Sequence, residues 1–256
     1  MSEIWCVASG KGGVGKTFIS SGLGISLAKL RKKVLLIDFD ISGANLHTVL
    51  GLNEYKKSIL DGFHSAENLQ DMVHKSTFAN LDFVPGFSVP QLSQELCVLK
   101  MESLVAGLKK LNYDIVIFDL GPGAQKANLS IMNFADKNFL VTNCEPTSLE
   151  KTYRFVDQMV EEKMPIKNLH LMVNFCRSQQ HKILGLSLES IILKKHGVHA
   201  TFMGAIQFDN AVWQSTFMSS SQLQNVFALM PYSEVCHDFY KICKQFIDPK
   251  ELRAVS

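Results

Sequence analysis

Eight residues carry the first chemistry. Gly10-Lys11-Gly12-Gly13-Val14-Gly15-Lys16-Thr17 fills every fixed position of the glycine-rich phosphate-loop pattern, G-x-x-x-x-G-K-[ST]. Glycines at 10, 12, 13 and 15 let the backbone turn its N–H groups inward as an anion nest, and a helix starting at the loop adds its positive end. Lys16 is then placed to neutralise β- and γ-phosphate charge, and the Thr17 hydroxyl to ligate Mg²⁺. A nucleoside triphosphate is the default ligand. Lys11 is a second cation in a loop that needs one.

The loop must be held by a strand before it and a helix after it. Ile4-Trp5-Cys6-Val7-Ala8 is a short apolar run suited to a buried strand, and Thr17 to Leu30 has helix length. Further apolar runs start at Val34, Leu81, Ile115, Phe139, Leu169 and Phe202, most of them separated by helix-length segments. Short apolar strands alternating with helices predict an α/β fold: a doubly wound, mostly parallel sheet with helices on both faces, as in P-loop and Rossmann-like proteins. In such a sheet the ligand sits at the carboxyl ends of the strands.

Carboxylates fall at those ends. The second run finishes in Asp38-Phe39-Asp40 and the fourth in Asp119-Leu120-Gly121-Pro122-Gly123, so both emerge at the edge that carries the loop. Beside a Mg²⁺ and a γ-phosphate, such groups hold metal waters or orient an attacking water, the needs of phosphoryl transfer. The bland alternative is that they only end strands and cap turns.

Composition narrows the classes. With 256 residues, 46% of them hydrophobic and 20% charged, the chain can bury a large core and reads as one domain, residues 1–256. A net charge of +2 gives no bulk drive toward nucleic acid. Six cysteines without a CxxC pair read as free thiols in a reducing compartment. Neither a secretory leader nor a spanning apolar stretch is evident, so a cytoplasmic location is expected.

KGGVGKT, then DFDISGANLHTVLG, then FDLGPG, resemble in order the deviant phosphate-loop ATPases of the MinD/ParA family. The resemblance covers the chain through about Asn174. It implies an ATP- and Mg²⁺-dependent homodimer in which Lys11 reaches the phosphates of the neighbouring copy. A cation that arrives only on closure stabilises transition-state charge in trans. It further implies that Asp40 positions the attacking water, that Asp38 is its partner near the metal, and that Asp119 stands near Mg²⁺. Glu145 corresponds to an acidic residue at the dimer interface and Asn174 to the asparagine that reads adenine. Two departures stand out: Phe18 replaces a hydroxyl residue that contacts the α-phosphate in many relatives, and Gly121-Pro122 alters the usual D-x-P-x-G.

GANLHTVLGL and TNCEPTSLEKTYRFVD look most like the flagellar-placement branch, FlhG or FleN. That resemblance implies a slow ATPase switch that places or counts a cellular structure through a protein partner of the flagellar or polar machinery. The glutamine-bearing N-terminal extension of that branch, which acts on a partner GTPase, has no counterpart before the first strand. The competing expectations are a ParA-like partition ATPase on non-specific DNA and a nucleotide-binding scaffold with little turnover. For DNA, the candidate patches are Lys182, Lys194, Lys195 and His196, and Arg31, Lys32 and Lys33. Near the C-terminus, Phe239, Ile242, Cys243, Phe246 and Ile247 form one apolar face. It suits a helix packed on the sheet, the favoured reading, or weak, dimer-dependent peripheral binding at the inner membrane.

Overall fold

In the first strand, alternate side chains enter opposite layers. Ile4, Cys6 and Ala8 go to one side, Trp5 and Val7 to the other, and all five are buried. A strand that is apolar on both faces has to be covered on both. The computed structural model describes residues 1–40, 43, 46–50, 55–64, 66–86, 94–178, 180–210, 212, 230 and 232–248.

The strands are β1 (Glu3–Ser9), β2 (Val34–Phe39), β3 (His74–Lys75), β4 (Leu81–Val84), β5 (Ile115–Pro122), β6 (Lys137–Asn143), β7 (Leu169–Cys176) and β8 (Ala200–Gln207). They form one sheet in the order β3-β4-β2-β5-β1-β6-β7-β8. Every pairing is parallel except β3 with β4 at the edge. The sequence predicts seven of these strands; β3 is too short and too polar to leave a signal.

Helices α1 (Lys16–Lys29), α2 (Leu46–Val49), α3 (Ile59–His64), α4 (Gln94–Leu108), α5 (Lys126–Phe134), α6 (Pro146–Glu161), α7 (Gln180–His196) and α8 (Glu234–Lys244) surround it. Ile19, Leu23 and Leu27 of α1 pack with Val235, Phe239 and Ile242 of α8 on the Trp5 face. Side chains of α3 through α7, among them Phe63, Leu104, Ile131, Phe155 and Ile192, cover the Ile4 face.

The apolar face near the C-terminus is therefore an inner face. Phe239 and Cys243 are fully buried, and the Phe246 ring lies 5.1 Å from Trp5 and 5.6 Å from Phe139. Among the described residues no helix is long and apolar enough to cross a membrane.

Because β1 lies between β5 and β6 while its own crossover leads to β2, its carboxyl end is a point where the winding reverses. Such a point leaves a crevice for a ligand.

Candidate nucleotide-binding site

The loop after β1 enters α1 through Gly15, which has φ 88°. Only glycine takes that value without strain, and a Cβ there would lie 2.3 Å from Asn174 Nδ2. The close approach has a purpose: Asn174 Nδ2 donates to the Val14 carbonyl at 2.9 Å, tying the end of β7 to the loop. Asn174 is fully buried, and its Oδ1 has no partner among the described residues. On the other flank the Ser9 hydroxyl donates to the Lys11 carbonyl at 2.7 Å, and the Gly123 N–H donates to the Ser9 carbonyl at 2.8 Å.

Under the loop lie Lys16, Asp119 and Asp38, exposed by only 8%, 1% and 1%. Burial lowers the pKa of the Lys16 ammonium, while Asp119 and Asp40 pull it back up. Asp38 and Asp119 are register partners on β2 and β5. Burial first, and the Asp38 charge second, push the Asp119 carboxyl up to about 7; Thr17, Lys16 and Ser20 act in the opposite direction. Two buried carboxylates side by side and one of them short of countercharge make a site that a cation completes.

A Mg²⁺ fits this donor set. Asp119 Oδ1 is buried without a hydrogen-bond partner among the described residues, and the Thr17 hydroxyl is bonded to the same carboxylate. Among the described residues no cluster of three or more His, Cys, Asp or Glu forms a complete cage. A small hard cation here would therefore draw further oxygens from phosphate and water, as Mg²⁺ commonly does.

Asp38, beside Asp119, also shapes the local backbone. Its Oδ1 accepts from the Asp40 N–H at 3.2 Å and its Oδ2 from the Leu46 N–H at 2.9 Å, so it shapes the turn that presents Asp40. Asp40 Oδ1 accepts from the Gly43 N–H at 3.1 Å, and a Cβ at position 121 would stand 3.0 Å from the same oxygen. The departure at Gly121 thus makes room for Asp40. Asn128 Nδ2 donates to the carbonyls of Gly121 and Gly123 at 3.0 and 2.8 Å and holds that segment from α5.

Lys11 stands at the rim. Its Nζ lies 2.5 Å from Glu145 Oε2 and 3.1 Å from Thr147 Oγ1 of the same chain. That contact lowers the Glu145 pKa. Gly13, Asn143, Cys144, Glu145, Phe175 and Phe208 help line a mouth of about 700 Å³ next to the loop. Arg177 lies over the Phe208 ring at 4.3 Å.

The AAA domain family matches residues 2–171, which contain the loop, Asp38, Asp40, Asp119 and Glu145. The septum site-determining protein MinD of Tupiella akineta is 31% identical over 219 residues, 84% of this chain and 69% of that protein. The chain belongs to the MinD/ParA family of AAA domain proteins. The antiactivator FleN of Pseudomonas aeruginosa is 26% identical over 213 residues, 82% of this chain and 75% of its own. Some MinD relatives are longer, and the chain spans 66% of their length. MinD of Pyrococcus horikoshii, solved complexed with Mg-ADP, has the same fold: TM-score 0.78, 24% identity, covering 100% of this chain and 99% of that one.

Within this MinD/ParA frame, the structure accounts for Phe18. Its ring packs edge-on against Phe239 at 5.6 Å, so the position joins the loop helix to α8. Lys195, one of the patch cations, lies 3.7 Å from Asp157 and 4.6 Å from the Tyr153 ring centre. The Lys182 side chain lies outside the described residues. Sequence reasoning missed Ser20, Asn128 and Thr147. Ser20 sits one helical turn after Lys16, a spacing that could have been read; Asn128 reaches back across a turn to Gly121 and Gly123, and Thr147 meets Lys11 from a segment far away in sequence.

Proposed function

We propose that the protein is an ATP-dependent dimerising switch, an ATP hydrolase of the MinD/FlhG type. In this reading it regulates the placement or number of a cellular structure, flagella first, through a protein partner. The observation that carries the enzymatic part is the buried Asp119 Oδ1, unpartnered among the described residues, beside Lys16 and Thr17 beneath a complete phosphate loop.

In the proposed roles the N–H groups from Gly10 to Thr17 and the Lys16 ammonium hold the phosphates, and Thr17 and Asp119 hold Mg²⁺. Bound Mg²⁺ supplies charge neutralisation on the phosphate oxygens. Asp38 fixes the turn, and Asp40 orients the attacking water through the carboxylate that faces Gly121. Lys11 of a second copy completes the charge only when two copies close, with Glu145 at the same contact. Asn174 braces the loop, and Oδ1 is the atom it has left for adenine.

A partner reading is supported by α7, which exposes Ile183, Leu186, Ile191 and Leu193 by 60, 56, 51 and 39%, more apolar surface than a solvated helix needs. The unbridged Cys6, Cys144, Cys176, Cys236 and Cys243 support a cytoplasmic setting. All eight strands among the described residues join one sheet, which supports treating residues 1–256 as one unit.

Light scattering and phosphate release test the proposal together. With ATP and Mg²⁺, the expected result is a wild-type dimer with slow release, a trapped non-hydrolysing dimer for Asp40→Ala, and a monomer for Lys11→Ala. Equal phosphate release by wild type and Asp40→Ala would favour the second reading, a scaffold with little turnover, to which the core-packed Phe18 lends support. Monomers throughout would end the switch.

A further inference from the structure

Cys144 follows β6 and Cys176 ends β7, two parallel neighbours in register at Asn143 and Asn174. Their thiols are in hydrogen-bond contact. Both pack with Val173 and Ala205 in a small cluster apart from the two main layers of the core. Cys176 is 4% exposed, whereas Cys144 is half-buried and lines the 700 Å³ mouth beside Gly13. One sulfur can meet a solute and the other can resolve what forms.

We infer that Cys144 and Cys176 are a reversible disulfide site whose oxidation ties the turn after β6 to the end of β7. A peroxide is the class of oxidant that fits an open mouth of this size. The Cys144 thiolate attacks one peroxide oxygen: an S–O bond forms, the O–O bond breaks, and hydroxide leaves and is protonated. Cys176 sulfur then attacks the Cys144 sulfur, forming S–S as the S–O bond breaks, and water leaves with the thiol proton. Two thiols and one hydrogen peroxide give one disulfide and two waters. Burial holds the Cys144 thiol above its ordinary pKa, so the reaction quickens as pH rises.

The bridge reaches the site on both sides. Glu145, the partner of Lys11, is the next residue after one cysteine, and Asn174, the brace of the loop, stands two residues before the other. Fixing them to each other restrains the turn that must release Lys11 and the loop that must receive phosphate. This consequence rests on the nucleotide reading above; the disulfide itself does not.

The test uses the full chain, reduced and then treated with hydrogen peroxide. Intact mass should fall by about 2 Da for the two hydrogens lost, and peptide mapping should join residues 144 and 176. Amide exchange across residues 144–149 should slow. Affinity for a fluorescent ATP analogue should drop about tenfold, a difference of about 1.4 kcal/mol, and return with dithiothreitol. Cys176→Ala should bind the analogue as the reduced wild type does and ignore peroxide; Cys144→Ser, compared with its own untreated sample, should show no peroxide effect and serves as the second variant should the first fold poorly. A bridge between other cysteines, no bridge at all, unchanged exchange in the bridged protein, or an equal peroxide effect in Cys144→Ser would overturn the inference. If the reduced protein fails to bind the analogue, the nucleotide reading fails, and mapping and exchange still decide the disulfide.

Discussion

Lys11 Nζ and Glu145 Oε2 lie 2.5 Å apart within one chain, so the cation proposed to serve a neighbour is held at home. The pair is exposed, with side chains 33% and 59% accessible, and exposed pairs are weak and screened by salt. It parks the lysine without trapping it. Lys11→Ala should therefore keep ATP affinity within roughly threefold of wild type, since a parked side chain contributes little to binding in its own site, yet lose ATP-dependent pairing. Titration calorimetry and light scattering on the same sample check this. A large loss of affinity in the monomer would instead place Lys11 on its own nucleotide.

Asp119→Asn should move stability and ligand binding in opposite directions. The folded carboxyl is raised to about 7 from 3.8, so the folded chain holds a proton that the unfolded chain has released. The stability tied to that proton is present at low pH and lost as pH rises through 7. An amide removes the repulsion with Asp38, and the variant should gain on the order of 1–3 kcal/mol at pH 8 without ligand. Mg-ADP, which stabilises wild type by binding the folded state, should stabilise the variant far less. Urea midpoints with and without Mg-ADP read both effects, and a variant less stable than wild type without ligand contradicts the account.

The parts of this site that could be read from sequence are those with local signatures. Gly10 to Thr17 fills a fixed pattern, and Asp38 and Asp119 end short apolar runs, so topology alone sends them to one edge of the sheet. Asn128 returns to Gly121 across a turn, and Cys144 meets Cys176 across a strand pair; nothing near either residue in sequence announces the contact. Phe18 looked like a lost phosphate contact until Phe239, more than two hundred residues on, supplied its packing partner. Asp38 was legible as a carboxylate at a strand end, but its hydrogen bonds to Asp40 and Leu46 depend on the path of the turn after β2.

His170 should make the fold acid-sensitive. Its ring stacks near Phe139 and Phe246, with both nitrogens unpartnered among the described residues. Burial first and the Lys137 charge second lower its pKa to about 4, from 6.5. The unfolded chain therefore takes a proton that the folded chain refuses. Stability is full above 6.5 and falls as pH drops toward 4. The full shift corresponds to about 3 kcal/mol; because the ring is partly open to solvent, we expect about 1–2 kcal/mol. His170→Phe should flatten that part of the profile, measured as the difference between the two proteins in urea midpoint at pH 4.5 and 7. Parallel profiles would show that the ring is protonated in place.

The last prediction concerns the seam between the loop helix and α8. Phe239 is fully buried, touches Phe18, and sits so close to Gly22 that a Cβ there would meet its ring at 2.3 Å. Truncating it leaves a cavity that Gly22 cannot fill, and Phe239→Ala should cost about 3–5 kcal/mol. Phe18 adjoins Thr17, so its ring, released on one side, frees the first turn of α1. The nucleotide contribution to stability should shrink along with the fold itself. A Phe239→Leu variant refills most of the volume and should recover most of both. If Phe239→Ala loses stability but keeps the full Mg-ADP increment, the seam supports the core alone and the loop does not feel α8.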